Sequence, residues 1–448
     1  MLSKSIKTLR EHKILAKNPY IVGSKLTELK SNYDVFKIRP RFRDRLLAQV
    51  ILQLVYLIIY FVLLFNFKKK CSKVTLVYSL TFDQIFRDKS CQSLSSFFMA
   101  ERFNLDPNSD FMVELRSIRL HKNFKNFRVV RNIPMAIYGK YLSFPERFYI
   151  FVQMLRRFYF SWSLLVQDAN FVLIMKEFIF DELVYSGASN GVIDNIITTQ
   201  TNLLFQPLVF YMDFAKHKRI MIWYSANNGQ IPYKSNTQQR LTLSPIFYPR
   251  INVDEHWVWD KYHAKKLKKL VNHKIFVKKS LVFYEPSLKF NYSPKIDILI
   301  FDITPPNSLP KNNIYNENNL CDFVSEIVQV SRQLQVKREL RIGLKPKRKV
   351  HYIHSEKYMD LVHNYNEMGA IDILDYNENL YDLIQNAKVV IGYPFTSPVL
   401  IAKELEVFSA FYSSSMLLQK SDSYSGVRFI QSKTNLRQFL DGVLQDYK

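Results

Sequence analysis

Residues 379–412 read NLYDLIQNAKVVIGYPFTSPVLIAKELEVFSAFY, and this stretch decides the fold. It contains a helical segment, an apolar strand, a second helix and a second strand in close succession. The same alternation continues on both sides, which predicts a parallel, doubly wound α/β sheet. The predicted strands are 295–303, 340–347, 370–375, 388–394, 408–413 and 426–431, and the predicted helices are 321–336, 355–368, 379–387, 397–406 and 434–445.

The rest of the chain has room for a second domain, since 448 residues exceed what one ordinary core accommodates. Before residue 281, apolar runs alternate with polar helical stretches, which indicates another α/β domain. We therefore expect two Rossmann-like domains facing a cleft. The predicted domains are 74–280 and 281–448, and the first has predicted strands at 74–80, 195–204 and 220–225.

Composition excludes several function classes. The chain has ten glycines, and none of them forms a Gly-x-Gly, Walker A or Gly-x-Gly-x-x-Gly pattern. NTPase, kinase and dehydrogenase functions therefore lose their main support. Three widely spaced cysteines without a Cys-x-x-Cys pair predict neither structural zinc nor a disulfide framework. A formal charge of +24 favours anionic partners: nucleic acid, phospholipid headgroups or phosphorylated substrates.

An apolar segment at 46–67 carries 22 residues without a charge. As a helix it is long enough to cross a hydrocarbon core of about 30 Å. Residues 1–45 form a basic arm with twelve Lys and Arg against four acids, and Lys68–Lys70 follow the segment. Basic residues on both sides leave the orientation undecided and suggest that both ends stay cytoplasmic. The arm is expected to contact anionic headgroups.

A polar stripe marks this segment, because Gln49, Gln53, Tyr56 and Tyr60 recur at helical spacing. A helix that lies in the membrane interface, or packs on the protein body, would use this stripe. The alternative is a core helix of a soluble protein. The aromatic segment 147–180 would form either a second membrane-touching surface or core helices, and core helices are expected, because charged residues interrupt any uncharged run of spanning length.

The loop between the 388–394 strand and the next helix is the expected phosphate site. Thr396 or Ser397 is predicted to cap the helix, and Pro398 suits its first turn. Backbone N–H groups, two hydroxyls and the positive end of the helix dipole then converge, as phosphate binding requires. Ligands bind at the carboxyl ends of strands in such sheets, which strengthens this interpretation over an ordinary capped helix.

The stretch 379–412, with Pro394-Phe395-Thr396-Ser397 as its motif, resembles the C-terminal part of the polysaccharide biosynthesis PFTS-motif proteins. It also resembles GT-B glycosyltransferases more broadly. The resemblance extends through 340–349 and towards 223–228. It implies a GT-B-like α/β fold of two Rossmann-like domains and a role in making surface glycans. The chain departs from a common GT-B pattern at Glu406-Val407-Phe408, where a Gly-x-Pro turn is frequent.

Further donor contacts are expected at neighbouring strand ends. Lys345, Lys347 and Arg348 would neutralise donor phosphates, or form a basic surface loop. Glu404, two turns after Ser397, would bind the ribose as acidic residues do in GT-B proteins, or is an exposed glutamate. Pro394 and Phe395 would lie against the ribose or base.

The position of Lys345–Arg348 resembles the place of a His-Pro pair in CMP-sugar-dependent transferases, but the histidine is missing. No Asp-x-Asp occurs in the chain, so we expect neither a metal ion nor any other cofactor besides the nucleotide-sugar substrate.

The sequence does not identify a catalytic base. By residue type and location the candidates are Asp213, Glu255 and His256 in the first domain. His256, beside Trp257, suits a packed junction residue equally well. Other expected cleft residues are Asp302, which would contact substrate hydroxyls or cap a helix, and Asp375.

Together these features predict a GT-B-type glycosyltransferase that moves a sugar from a nucleotide-sugar donor to a growing, lipid-linked surface glycan. The expected location is the cytoplasmic face of a bacterial inner membrane, on an anionic surface. The alternative is a non-catalytic polysaccharide assembly protein that retains the fold. Nucleic acid is not expected as a partner, because no RNA- or DNA-binding motif accompanies the lysine-rich segment 261–279.

Overall fold

The chain folds into two compact α/β units in a computed structural model. One unit comprises Met1–Ile222 with Pro249–His256, and the other comprises Trp223–Tyr248 with Trp257–Lys448. The domain boundary expected near residue 280 stays a prediction. The structure describes residues 42–66, 72–78, 95, 97–114, 126–130, 132–167, 175–189, 191–199, 207–212, 217–223, 252–279, 281, 295–305, 315–335, 340–347, 354–376, 378–414, 423–424 and 426–445.

The first sheet has seven strands in the order β3-β2-β1-β4-β5-β6-β7. Its pairs β1–β2, β1–β4, β2–β3 and β4–β5 are all parallel. The elements in chain order are α1 (Phe42–Leu64), β1 (Val74–Tyr78), β2 (Asp110–Glu114), β3 (Phe127–Val130), α2 (Ile133–Lys140), α3 (Phe144–Gln167), α4 (Glu182–Ala188), β4 (Ile193–Thr198), β5 (Lys218–Ile222), β6 (Glu255–Val258), α5 (Lys261–Leu267) and β7 (Lys274–Val277).

The second sheet also has seven strands, in the order β10-β9-β8-β11-β12-β14-β13. Its strands pair in parallel except β13, which runs antiparallel to β14. The elements are β8 (Ile296–Phe301), α6 (Glu317–Gln335), β9 (Ile342–Lys345), α7 (Glu356–Glu367), β10 (Asp372–Ile373), α8 (Leu380–Gln385), β11 (Ala387–Gly392), α9 (Ser397–Glu404), β12 (Phe408–Tyr412), β13 (Ser423–Tyr424), β14 (Val427–Ile430) and α10 (Lys433–Gln445).

The core of the second unit explains its regularity. The central strands β8 and β11 are buried along almost their whole length, so they read as continuous apolar runs. Helices α6 and α10 bury one apolar stripe each, which includes Val324, Ile327, Leu436 and Leu440. Every strand and helix predicted for residues 295–445 is confirmed, with boundary differences of a few residues.

Sequence reasoning was less complete in the first sheet. It found β1, β4 and β5 but not β2, β3, β6 and β7. These are strands of four or five residues, too short for a periodic signal. The lysine-rich segment 261–279 divides between two elements, since its first part forms α5 and its end forms β7.

Helix α1 covers most of the apolar segment predicted at 46–67. Gln53 and Tyr60 of its polar stripe are buried against the protein body, whereas Gln49 has no described side chain. In the part of the chain that the structure describes, no helix is both long enough and apolar enough to cross a membrane. The basic arm 1–45 lies outside the described residues except for the start of α1.

Candidate functional site

The candidate site lies where the strand order of the second sheet reverses. From β8 the chain builds outward through β9 to β10, and then returns to add β11 on the other side of β8. Ligands in doubly wound sheets bind at the carboxyl ends of the two strands that flank such a switch point. Those strands end at Phe301 and Gly392, and the N–H of Tyr393 donates to the Phe301 carbonyl over 3.2 Å. The predicted motif loop is therefore at the switch point.

Gly392 makes the turn from β11 into α9 possible. A Cβ atom there would lie 2.2 Å from Val399 Cγ2 and 2.5 Å from Thr396 Oγ1, distances that atoms do not adopt. Only glycine lets helix α9 approach the strand end this closely. Sequence reasoning did not single out Gly392, and its one signal was a glycine directly before the motif.

Phe395 and Thr396 complete the turn. Phe395 has φ +68°, in the left-handed region, and its buried ring packs on Phe411 with centroids 6.1 Å apart. The Thr396 hydroxyl donates to the Tyr393 carbonyl over 2.8 Å, and the Thr396 N–H donates to the same oxygen. The prediction that this hydroxyl caps α9 is therefore revised, because the turn itself uses it. Pro394 is buried as well, so its expected contact with a ribose or base stays a prediction.

The N-terminus of α9 offers the anion site. No side chain caps this helix, although Thr396 occupies the N-cap position. Backbone N–H groups at such an end attract anions, and the aligned peptide dipoles add positive potential. Ser397 is partly exposed at the first helical position, so its hydroxyl is accessible beside those N–H groups. A phosphate contact at this helix end, from Ser397 or Thr396, stays a prediction.

Asp302, directly after β8, organises the neighbouring loops. Its carboxylate accepts hydrogen bonds from the Tyr358 hydroxyl (2.6 Å), the Lys347 N–H (2.8 Å) and the Thr304 hydroxyl (3.1 Å). Burial raises the pKa of Asp302, against the lowering effect of these hydrogen bonds. The described partners of Asp302 do not include the N-terminus of a helix, and its expected contact with substrate hydroxyls stays a prediction. Asp302 connects the loops after β8 and β9 with helix α7.

The predicted cations separate into two kinds. Lys345 is buried, and its ammonium donates to the Tyr376 carbonyl over 2.7 Å. It therefore supports the loop after β10, and its expected contact with donor phosphates is revised. The Lys347 side chain is exposed at the same sheet edge, and Arg348 lies outside the described residues. Their predicted roles remain open.

Two acidic candidates are exposed. Asp375 follows β10, and its N–H donates to Glu378 Oε1 over 3.3 Å. Glu404 is the last residue of α9. It stands seven residues after Ser397, about 10 Å along the axis of the helix. A ribose contact for Glu404 stays a prediction.

Two of the three base candidates, Glu255 and His256, lie at the start of a strand in the first sheet. Asp254 donates its N–H to the Arg219 carbonyl, so the start of β6 lies beside the start of β5. Glu255 and His256, the first residues of β6, are thus at the amino end of these strands. Glu255 also forms an ion pair with Lys218 (3.7 Å). Asp213 lies outside the described residues.

The carboxyl edge of the first sheet instead carries a cluster that the sequence did not reveal. The Tyr78 hydroxyl, at the end of β1, is 2.5 Å from that of Tyr185. Asp181 lies nearby, paired with Lys176 at 2.9 Å, and burial raises its pKa. Glu114 ends the adjacent β2. The fold brings these residues together from three segments: β1, β2 and the helical stretch 176–185. Across the described ranges, no three His, Cys, Asp or Glu side chains form a metal site.

Comparison with known proteins now places the chain. The family model "Polysaccharide biosynthesis PFTS motif protein" matches residues 162–440. The chain therefore belongs to this family. The comparison with curated proteins found no match.

Among solved structures, the wall teichoic acid polymerase TagF is similar at 10% identity and a TM-score of 0.42, with 92% of this chain and 91% of that chain covered. The UDP-GlcNAc 2-epimerase of Methanocaldococcus jannaschii is similar at 11% identity and a TM-score of 0.40, over 83% and 92%. A TarM structure from S. aureus with UDP has 10% identity and a TM-score of 0.32, and the match spans 56% of this chain but only 48% of that one.

Proposed function

We propose that this PFTS-motif family protein is a GT-B-type glycosyltransferase, which moves a sugar from a nucleotide-sugar donor to a growing surface polysaccharide. The observation that carries the proposal is the uncapped N-terminus of α9 at the switch point of the second sheet. This feature suits a diphosphate or a nucleoside monophosphate, since both present anionic oxygens to backbone N–H groups. The PFTS motif of the family forms this turn.

The proposed site divides donor recognition among a few groups. The N–H groups at the start of α9 and the Ser397 hydroxyl bind phosphate oxygens, and Lys347 and Arg348 neutralise the charge that develops on the leaving nucleotide. Glu404 binds the ribose, and the motif residues Pro394 and Phe395 lie against the ribose or base of the nucleotide. In this mechanism the protein's cations and helix dipole stabilise the leaving group, and it requires no metal ion or cofactor.

The acceptor is proposed to be a lipid-linked glycan at the cytoplasmic face of the inner membrane of a bacterium. Positive charge supports this location, because a chain of formal charge +24 is attracted to anionic headgroups. An inverting reaction would need a base in the first unit, and the carboxylates beside Tyr78 lie at the edge where an acceptor would be met.

A thermal-shift screen of the full chain against CMP, UDP, GDP, dTDP and their sugar conjugates tests the donor site. A ligand at about 100 times its Kd stabilises the folded state by about 2.7 kcal/mol. We expect a selective rise in Tm that Ser397→Ala abolishes. The matched control is Ser432→Ala, which removes the hydroxyl that accepts from the Asn435 N–H before α10 and leaves the switch point unchanged.

The outcome also decides between the two functions considered. No shift with any nucleotide, in a protein with a cooperative melting transition, would contradict the transferase proposal and favour a non-catalytic assembly protein. A shift that Ser397→Ala and Ser432→Ala reduce equally would show that the nucleotide binds elsewhere.

A further inference from the structure

Helix α1 exposes its apolar side and buries its polar side. Its exposed residues include Ile51, Leu52, Leu54, Val55, Ile58, Ile59, Phe61 and Val62, and Phe65 directly after the helix is exposed too, whereas Gln53 and Tyr60 are almost fully buried. At about 100° per residue, the exposed positions cover about half of the helix circumference. A helix that faces water has the reverse arrangement.

Helix α3 is inverted in the same way. Two of its three arginines point inward, whereas Arg156 is exposed: Arg157 pairs with Glu182 at 2.7 Å, and Arg147 donates to the Leu63 carbonyl over 2.8 Å. Its outer face is apolar and aromatic. Arg147 and Arg157 therefore interrupt the apolar run in the sequence but not on the surface. The prediction that segment 147–180 forms core helices is wrong for α3, whereas Phe178–Phe180 are buried as expected. The exposed residues of α3 are Phe144, Phe148, Tyr149, Leu155, Tyr159 and Trp162.

The two faces form one surface. Phe61 of α1 packs on Phe151 of α3 with ring centroids 5.7 Å apart, and on Phe65 with centroids 5.3 Å apart. Because the buried Arg147 binds the C-terminal turn of α1, the two helices are held side by side. We call the exposed residues of α1 and α3 the two-helix surface. Soluble proteins normally expose apolar residues singly, whereas this surface exposes many of them side by side.

We propose that the two-helix surface lies in the interface of an anionic phospholipid bilayer, with α1 parallel to the membrane plane. Gln53 and Tyr60 of the polar stripe are buried against the protein body, so the exposed half of α1 is available to lipid. Tyr149, Tyr159 and Trp162 combine an apolar ring with a polar atom, which suits the headgroup boundary. Helices with this character insert about 5–10 Å into the boundary.

Charge favours a bilayer over a second copy of the chain as the occupant. The segment before α1 and Lys68–Lys70 after it are basic. Two copies that met through this surface would bring like charges together, whereas anionic headgroups attract them. The inference extends the proposed function, since it supplies the surface from which a lipid-linked acceptor would be reached.

Vesicle flotation of the full chain tests the proposal. We expect binding to vesicles of phosphatidylethanolamine and phosphatidylglycerol, and much weaker binding to phosphatidylcholine alone. The double variant I58E/V62E should weaken binding by about tenfold or more, because glutamate is costly below the headgroups. Phe148→Glu tests α3 independently and should also weaken it. Met368→Glu is the control, since Met368 is 63% exposed, like Ile58 at 63% and Val62 at 64%, but lies in the second unit.

Two results would overturn the inference. The first is unchanged vesicle binding in I58E/V62E. The second is a dimer, detected by light scattering without vesicles, that this variant converts to monomers while the wild type does not bind vesicles. Nucleotide-induced Tm shifts are measured on the same variants. A variant that no longer binds vesicles but keeps the nucleotide-induced Tm shift supports the proposal that the two-helix surface binds the membrane. A wild type that binds vesicles but shows no nucleotide-induced Tm shift contradicts only the transferase proposal.

Discussion

Glu406→Gly should stabilise the protein, because Glu406 occupies a backbone position that favours glycine. Helix α9 ends in a Schellman motif: the Val407 N–H donates to the Ala402 carbonyl over 2.9 Å, and the Glu406 N–H donates to that of Lys403 over 3.1 Å. Glu406 has φ +59°. It is also the position where GT-B proteins often have the glycine of a Gly-x-Pro turn. This chain therefore adopts the left-handed turn with glutamate in place of glycine.

The expected gain follows from three contributions. A residue with a Cβ atom costs about 1–2 kcal/mol in the left-handed region. Glycine offsets about 0.4–1 kcal/mol of this gain, because it increases the conformational entropy of the unfolded chain. Removal of a carboxylate from the negative end of a helix adds about 0.3–1 kcal/mol. The free energy of unfolding should rise by about 1 kcal/mol, which corresponds to about 2–4 °C in Tm for a unit of this size.

Urea and thermal unfolding of three variants isolate the cause. Glu406→Gln removes the charge but keeps the Cβ atom, so it should gain only the small dipole contribution. Glu404→Gly also removes a carboxylate, but it places glycine at the last helical residue, at a cost of about 1 kcal/mol that offsets the dipole contribution, so this variant should be no more stable than the wild type. If Glu406→Gly is no more stable than Glu406→Gln, the left-handed strain does not exist and the reasoning is refuted.

Three further variants test the fold and the site. Gly392→Ala should abolish nucleotide-induced Tm shifts and lower Tm, because its Cβ would overlap Val399 and Thr396; a retained shift in nucleotide titrations contradicts this. Arg157→Ala should cost about 3–5 kcal/mol in urea unfolding, since it leaves Glu182 buried and unpaired, and a double variant that also replaces Glu182 by Leu should recover much of it. Burial raises the pKa of Asp302, so the folded protein binds the carboxyl proton more tightly than the unfolded chain does. The stabilisation from this protonation is complete below the unfolded pKa of about 3.9, and it is lost as the pH rises through the folded pKa. The unfolding free energy of the wild type relative to Asp302→Asn should therefore increase in urea titrations as the pH is lowered from neutrality towards the unfolded pKa of about 3.9, and a pH-independent difference would contradict the assignment.

The second sheet was predictable because its signals are local. Each of its helices shows an apolar stripe and each central strand an apolar run, so periodicity alone gives the order β8 to α10. The motif turn could be located for the same reason, since strand, motif and helix are contiguous in the chain. What contiguity cannot give is the partner of a polar side chain. Lys345 meets a carbonyl 31 residues away, and Asp302 a hydroxyl 56 residues away.

The first unit shows the same limit in its helices. Arg157 reads as an interruption of an apolar run, and only its pairing with Glu182, 25 residues away, reveals that the charge points inward. Composition therefore predicted a core helix where the structure has an exposed aromatic face. The polar stripe of α1 could be seen in the sequence, but whether it faced protein or solvent depended on the residues packed under it.

Lys345 and Lys347 should respond in opposite ways to substitution, although they stand two residues apart. Lys345 is buried and donates to the Tyr376 carbonyl, so Lys345→Met should lower the unfolding free energy by about 1.5–3 kcal/mol. Lys347 is exposed and contributes its N–H, not its ammonium, to Asp302, so Lys347→Ala should change stability by less than about 0.5 kcal/mol. If its ammonium binds donor phosphate, the same variant weakens nucleotide binding by about 10- to 100-fold in calorimetric titration. Equal nucleotide affinity in Lys347→Ala and wild type would remove Lys347 from the donor site, and the charge of the leaving nucleotide would then rest on the helix end and Ser397.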